Sequence, residues 1–117
     1  TTYSGIRRVD WKTAARRWPK DKADKDLQAT CFSYAYRIEH RAIPEFRFDV
    51  ITKTKTPTYE QHYTHRTPDS FVRLNKLVEM VERATAADAF YPNENSYACS
   101  DCVYKHTCAS WHHQQAA

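Results

Sequence analysis

The sequence contains one glycine, Gly5, in 117 residues. Glycine is the residue that enters positive φ without strain, so few tight turns of that kind are expected, and a glycine-rich phosphate loop is excluded. No apolar run approaches the roughly 18 residues that a membrane-spanning helix needs, and the N-terminus carries no secretory signal pattern. Internal repeats, low-complexity tracts and interdomain linkers are also missing. Cysteine is scarce: Cys31 stands alone, while Cys99, Cys102 and Cys108 crowd together. That distribution argues against a secreted disulfide framework. The chain therefore reads as a soluble protein of a cytoplasmic, reducing compartment, with no membrane partner.

What is present supports a folded domain. Hydrophobic residues make up 41% of the chain and aromatics 14%, enough for a real core. A length of 117 residues corresponds to one domain, or most of one. The net charge of +4 is compatible with a polyanionic partner without identifying one. The positive charge is uneven, since Arg7, Arg8, Lys12, Arg16, Arg17, Lys20, Lys22 and Lys25 all fall in the first 25 residues. A solvated basic segment and a phosphate-tracking surface account for this run about equally well.

Periodicity gives the order of elements. Residues 5–13 read as a strand, with Val9 and Trp11 on one face, directed into a core, and Asp10 and Lys12 on the other. Arg16 to Lys22 is a polar connection that Pro19 keeps irregular. A helix is expected from Asp24 to Arg41, with Leu27, Cys31, Tyr34 or Ala35, and Ile38 at helical spacing and Cys31 in its core. Phe46, Phe48 and Val50 alternate with Arg47, Asp49 and Ile51, as in a half-buried strand with Asp49 facing outward. Tyr59 to His65 supplies a hairpin partner across a turn at Lys55-Thr56-Pro57. Thr67-Pro68-Asp69 opens a second helix that runs to about Ala87 with a stripe of Phe71, Leu74, Leu77, Val78 and Val81. The rest is a cysteine-containing tail, with a short helix expected around Trp111.

Two constellations carry chemistry. Asp10 and Lys12 side by side on a strand can bind a divalent cation and activate water beside it. Taken alone, an acid and a lysine two apart are a solvated face by roughly ten to one. The apolar backing of this strand and the Asp26-Leu27-Gln28 helix start that follows improve those odds. The second constellation is Cys99-x-x-Cys102-x5-Cys108, because thiolates at this spacing converge readily on one metal. Its readings are an iron–sulfur cluster, or structural zinc completed by His106, His112 or His113, and the residues alone leave the two close to even. Trp18, beside Arg16, Arg17 and Lys20, is the best-placed aromatic for a nucleic-acid contact.

Asp10-Trp11-Lys12-Thr13-Ala14, followed by Gln28 and Phe32, resembles the RecB-type branch of the PD-(D/E)XK nuclease superfamily, in which an acid-x-lysine strand precedes a Gln-x-x-x-Tyr helix. Phe32 stands where that motif has tyrosine, so it can stack but cannot donate a hydroxyl hydrogen bond. The three C-terminal cysteines are similar to those of the iron–sulfur members, which include AddB-type subunits and CRISPR-associated exonucleases. The resemblance implies an α/β, restriction-endonuclease-like mixed sheet flanked by helices, with residues 1–90 as the C-terminal part of the nuclease core and 91–117 as a cysteine-ligated tail. It implies Mg2+ or Mn2+ on Asp10, with Lys12 positioning or activating the attacking water and Gln28 orienting the site. It also implies a 4Fe–4S cluster on Cys99, Cys102 and Cys108, with zinc as the alternative. The substrate it suggests is DNA, as single strands or ends, in repair, recombination, phage replication or CRISPR adaptation. Only nine residues precede Asp10, so the N-terminal part of the fold, its further catalytic acids and the fourth cluster ligand are expected from a preceding segment or a partner subunit. Beside this reading stand a non-catalytic nucleic-acid-binding or assembly module, and a small zinc domain whose Asp-x-Lys is coincidental.

Overall fold

Three strands and the helices between them organise the first part of the chain, and each element follows from a local sequence cue. The computed structural model describes residues 3–113, with side chains from Gly5 onward. Thr1, Thr2 and the last four residues of the expected tail lie outside that range. In order come β1 (Tyr3–Ala14), α1 (Lys22–Lys25), α2 (Leu27–His40), β2 (Ile43–Thr52), β3 (Tyr59–Thr64) and α3 (Pro68–Ala86). A short helix α4 (Lys105–Ala109) follows, between 3-10 turns at Tyr97–Asp101 and Trp111–His113. The chain divides into two compact units, Thr1–Glu79 and Met80–Ala117.

The sheet has the order β1-β2-β3, with β1 parallel to β2 and β2 antiparallel to β3. This is the expected α/β architecture with a mixed sheet: a parallel pair needs a crossover, which α1 and α2 provide, and an antiparallel pair needs only a turn. In register, Asp10 lies opposite Phe48 and Lys12 opposite Val50. Phe46, Phe48 and Val50 form the buried core with Ala23 and Ala29, and Ala14 and Trp18 pack against its edge.

The alternation along β1 is as expected, but the faces are reversed. Val9 is 41% exposed and Trp11 62% exposed, while Asp10 and Lys12 are on the side that the helices cover. The cause lies in α2, which buries Ala29, Ser33 and Tyr36 instead of the larger apolar residues. Two small side chains let the helix approach the Phe46–Phe48–Val50 face, and the in-register residues of β1 are then even-numbered. Leu27, Cys31 and Ile38 are consequently exposed, so Cys31 is an exposed thiol and not a core cysteine, while Phe32, though half exposed, stacks on Phe46 at 6.2 Å.

Two other expectations need correction. The single helix from Asp24 is in fact two helices, because Asp26 adopts an extended conformation (φ −74°, ψ 118°) that ends α1 and caps α2. Asp49 does not face solvent. Its side chain is fully buried, and its carboxylate accepts a 2.8 Å hydrogen bond from Arg47 Nη2, with Arg47 Nε 2.7 Å away as an ion pair. An isolated buried carboxylate is too costly to keep, so the guanidinium two residues away on the same face fixes this arrangement. On that face Trp11 stacks on Tyr59 at 6.0 Å, and Arg47 also lies over the Tyr63 ring. In a chain so poor in glycine, α2 must end on another residue, and Arg41 takes the left-handed conformation at φ 54°.

Candidate active site

Asp10 and Lys12 share the covered face of β1, and the chain returns to them at the start of α2. Asp26 caps that helix, its Oδ1 accepting the backbone N–H of Gln28 at 2.9 Å. An N-cap of this kind satisfies one of the open donors of the first turn and sets where the next side chains point. Gln28 then reaches back to the strand, where its Oε1 accepts a 2.6 Å hydrogen bond from Lys12 Nζ. The same Nζ lies 2.9 Å from Asp10 Oδ2. The three residues singled out in the sequence therefore form one cluster, drawn from positions 10, 12 and 28 of the chain.

The cluster is half-buried, with the side chains of Lys12 and Asp10 32% and 26% exposed. Asp10 Oδ2 is itself buried and accepts no hydrogen bond, so the ion pair with Lys12 is its sole compensation among the described residues. An ammonium has three donors. One is spent on Gln28 and one faces Asp10, which leaves a third for an incoming oxyanion. A divalent cation of the magnesium type takes oxygen ligands and completes its shell with water and substrate phosphate, so one or two carboxylates suffice. The under-bonded oxygen of Asp10 fits that requirement. Among the described residues no three His, Cys, Asp or Glu side chains converge on a common point, and Asp10 is the carboxylate that pairs with Lys12.

Behind the cluster is a residue the sequence reading missed. Arg66, only 4% exposed, donates to Thr30 Oγ1 at 2.7 Å, to Ala23 O at 3.1 Å, to Asp26 O at 2.8 Å, to His65 O at 3.2 Å and to Thr64 Oγ1. It ties the end of β3 to the junction of α1 and α2, where Gln28 is positioned. Burial pulls its guanidinium below the usual arginine value, and the carboxylates of Asp24 and Asp26 act in the opposite direction. Nothing in the run His65-Arg66-Thr67-Pro68 marks this arginine as interior. Asp26 did carry a signal, an acid two residues before the glutamine at a helix start.

The expected nucleic-acid residues are divided by the structure. Arg16 and Lys20 are exposed. Arg17 is exposed but ion-paired with Glu60, whose carboxyl is held below the usual range, first by its hydrogen bond with His62 and then by Arg17. Trp18 is committed elsewhere: its ring lies 5.2 Å from Phe48 and 5.5 Å from His62, with Lys22 Nζ 4.9 Å from its centroid. It is a core-edge residue and not a free stacking platform. Arg17, Trp18 and Lys20 nevertheless line one shallow cavity with residues 59–62 of β3.

The cysteines of the second unit sit on short turns. Cys99 lies in the first 3-10 turn, Cys102 caps it, and Cys108 is in α4. Cys102 and Cys108 are exposed and Cys99 is half-buried, its thiol directed to Asn93 O at 3.4 Å. All three are free thiols.

No helix among the described residues is long and apolar enough to cross a membrane. Comparison with curated proteins and with solved structures returned no match. A family model did match, that of the PD-(D/E)XK nuclease superfamily, over residues 2–109. Members of that superfamily usually use Mg2+ or Mn2+. With the Asp10–Lys12 strand and the Gln28 helix folded against each other inside the matched region, the chain belongs to the PD-(D/E)XK nuclease superfamily.

Proposed function

We propose that Asp10, Lys12 and Gln28 are the reacting centre of a metal-dependent deoxyribonuclease, an exonuclease acting on DNA ends or single strands. The observation that supports this most directly is the position of Lys12 Nζ, 2.9 Å from Asp10 and 2.6 Å from Gln28. Phosphodiester hydrolysis gathers negative charge on the phosphoryl oxygens, and a preorganised cation in a half-dry site is worth more there than in water. In this reading Asp10 holds the divalent cation, Mg2+ or Mn2+, which would supply Lewis acidity and a lowered pKa for its bound water. Gln28 keeps the Lys12 side chain extended toward Asp10, so that its remaining N–H faces the substrate. Arg16, Arg17 and Lys20 contribute phosphate contacts at the rim, with Trp18 holding the loop that carries them.

In the second unit, Cys99, Cys102 and Cys108 are proposed to hold a 4Fe–4S cluster. The donor set supports this: three free thiols within ten residues, with Cys102 and Cys108 exposed, although among the described residues the three are not brought to one point. Zinc with His106, His112 or His113 is the alternative. Either metal would hold the tail together and take no part in the hydrolysis.

Cleavage of end-labelled DNA with Mg2+ or Mn2+ tests the reading. Lys12→Ala should lower the rate by about 10²–10³-fold, the loss typical of one transition-state donor, in a variant that remains folded. Equal cleavage by parent and variant would sink it. The single carboxylate beside Lys12 favours a second reading, a nucleic-acid-binding or assembly module without catalysis. Under that reading Lys12→Ala changes DNA affinity alone.

A further inference from the structure

Two concave surfaces of the first unit meet at Lys25 and Leu27, and together they lead away from the reacting centre. The nearer one, lined by Lys22 and Lys25 with Asp21 and Asp26, and by Leu27 and Gln28, begins at the glutamine that contacts Lys12. The farther one is a cavity of about 580 Å3 whose lining includes Asp24, Lys25, Leu27, Arg66, Arg73 and Leu77. The cavity is cationic, with Lys25, Arg66 and Arg73 set against the single carboxylate of Asp24, which accepts a 2.7 Å hydrogen bond from Thr64. The hydrogen bonds of Arg66 are all made internally, so it contributes charge without contact.

The cations at the lip are different. Arg73 projects from α3 into solvent with no hydrogen bond or ion pair among the described residues. Lys25 is exposed and its partner is an exposed carboxylate one helical turn away, Asp21, a pairing weak enough to exchange for another anion. Lys22 lies over Trp18, which keeps its ammonium at the rim. Leu27 and Leu77, both about half exposed, give the floor an apolar surface suited to sugar faces. The net positive lining of the farther cavity, set beside two half-exposed leucines and continuous with Gln28, favours a polyanionic ligand over a merely solvated helix surface.

We propose that a DNA strand bound at the Asp10–Lys12–Gln28 site continues over the α1–α2 junction into this cavity, with Lys22, Lys25 and Arg73 contacting its backbone phosphates. This rests on the nuclease reading of that site, but its test does not require cleavage. Binding of a fluorescein-labelled oligothymidylate is measured without divalent metal, across a salt series. Each lost phosphate contact on a single strand flattens the slope of log affinity against log salt by about 0.7. The double variant Lys25→Gln, Arg73→Gln should therefore flatten it by about 1.4 and weaken binding about tenfold or more at low salt. Lys55→Gln with Lys76→Gln removes the same charge outside the cavity and should leave both values unchanged. Melting curves establish that all forms are folded. Equal effects from the two double variants, no effect from the first, or a parent that binds no oligonucleotide would each overturn the proposal. If the parent binds as expected but cuts no DNA, the nuclease reading fails and the strand path stands.

Discussion

Arg66 offers the most demanding test of how this molecule is held together. The perturbation is Arg66→Met, which keeps much of the apolar stem and deletes the guanidinium. Five hydrogen bonds are lost, to Thr30, Thr64, His65, Ala23 and Asp26. A hydrogen bond to a charged group is worth about 1.5–3 kcal/mol net, and these five cannot simply be summed. The hydroxyls of Thr30 and Thr64 can rotate to other partners, and Ala23 O keeps a 3.4 Å bond from Asp26 N. Loss of the guanidinium also recovers its own desolvation cost. Asp24 and Asp26, meanwhile, lose the cation between them. Breaking such a buried charged network costs about 3–5 kcal/mol, and the lower half of that range is expected here. A domain of ordinary stability has about 5–15 kcal/mol in total, so the variant should fold but unfold at a clearly lower urea midpoint. Arg66→Lys should recover less than half of the loss, since an ammonium has three donors where five are needed. The assay is urea unfolding at constant m-value. A loss below about 1 kcal/mol for Arg66→Met would refute the role assigned to the arginine.

Other expectations follow from the same geometry. Asp49→Ala leaves Arg47 half-buried without its partner and should cost about 3 kcal/mol, where an outward-facing aspartate would cost nearly nothing; urea unfolding separates the two. Glu60 has a carboxyl held low by His62 and Arg17. The stability it contributes is complete above the unfolded carboxyl value of about 4.3 and is lost as pH falls through the lower folded value. Glu60→Gln should therefore flatten the decline of melting temperature below about pH 4.3, and identical acid limbs in parent and variant would count against the Glu60 pairing. Protein purified without oxygen should contain iron and acid-labile sulfide in equal amounts. Zinc in their place would select the Cys3His reading, and finding neither metal would mean that this chain lacks the fourth ligand.

The pattern of the sequence revealed which elements exist and which residues of a strand share a face. It did not reveal which face the helix would cover. Phe46, Phe48 and Val50 are legible as core because large apolar side chains alternate with charged ones. Val9 and Trp11 follow the same rule and lie on the open side, because Ala29 and Ser33, not Leu27 and Cys31, dock against the sheet. Small residues that permit close approach leave a weaker mark on hydrophobic periodicity than large residues that fill space. Asp49 was misplaced for a related reason: a charged residue on a strand reads as exposed unless its partner is known, and Arg47 is that partner. Asp10, Lys12 and Gln28 were legible because a local motif fixes their spacing. Arg66 was not, since its partners are spread from Ala23 to His65.

The Asp10–Lys12–Gln28 cluster depends on those less legible residues. β1 alone aligns Asp10 with Lys12, and no further packing is needed for that pair. Gln28 reaches Lys12 only because Asp26 breaks the chain between α1 and α2 and then caps the second helix. Asp26 O in turn is one of the carbonyls that Arg66 holds. The position of Lys12 is thus set at one end by a strand and at the other by a polar junction reaching across the fold to the end of β3. Apolar burial is sparse around this junction, where α1 and the first turn of α2 supply Ala23 and Ala29 to the core. The hydrogen-bonded arginine ties this junction together where larger apolar side chains do so elsewhere in the fold.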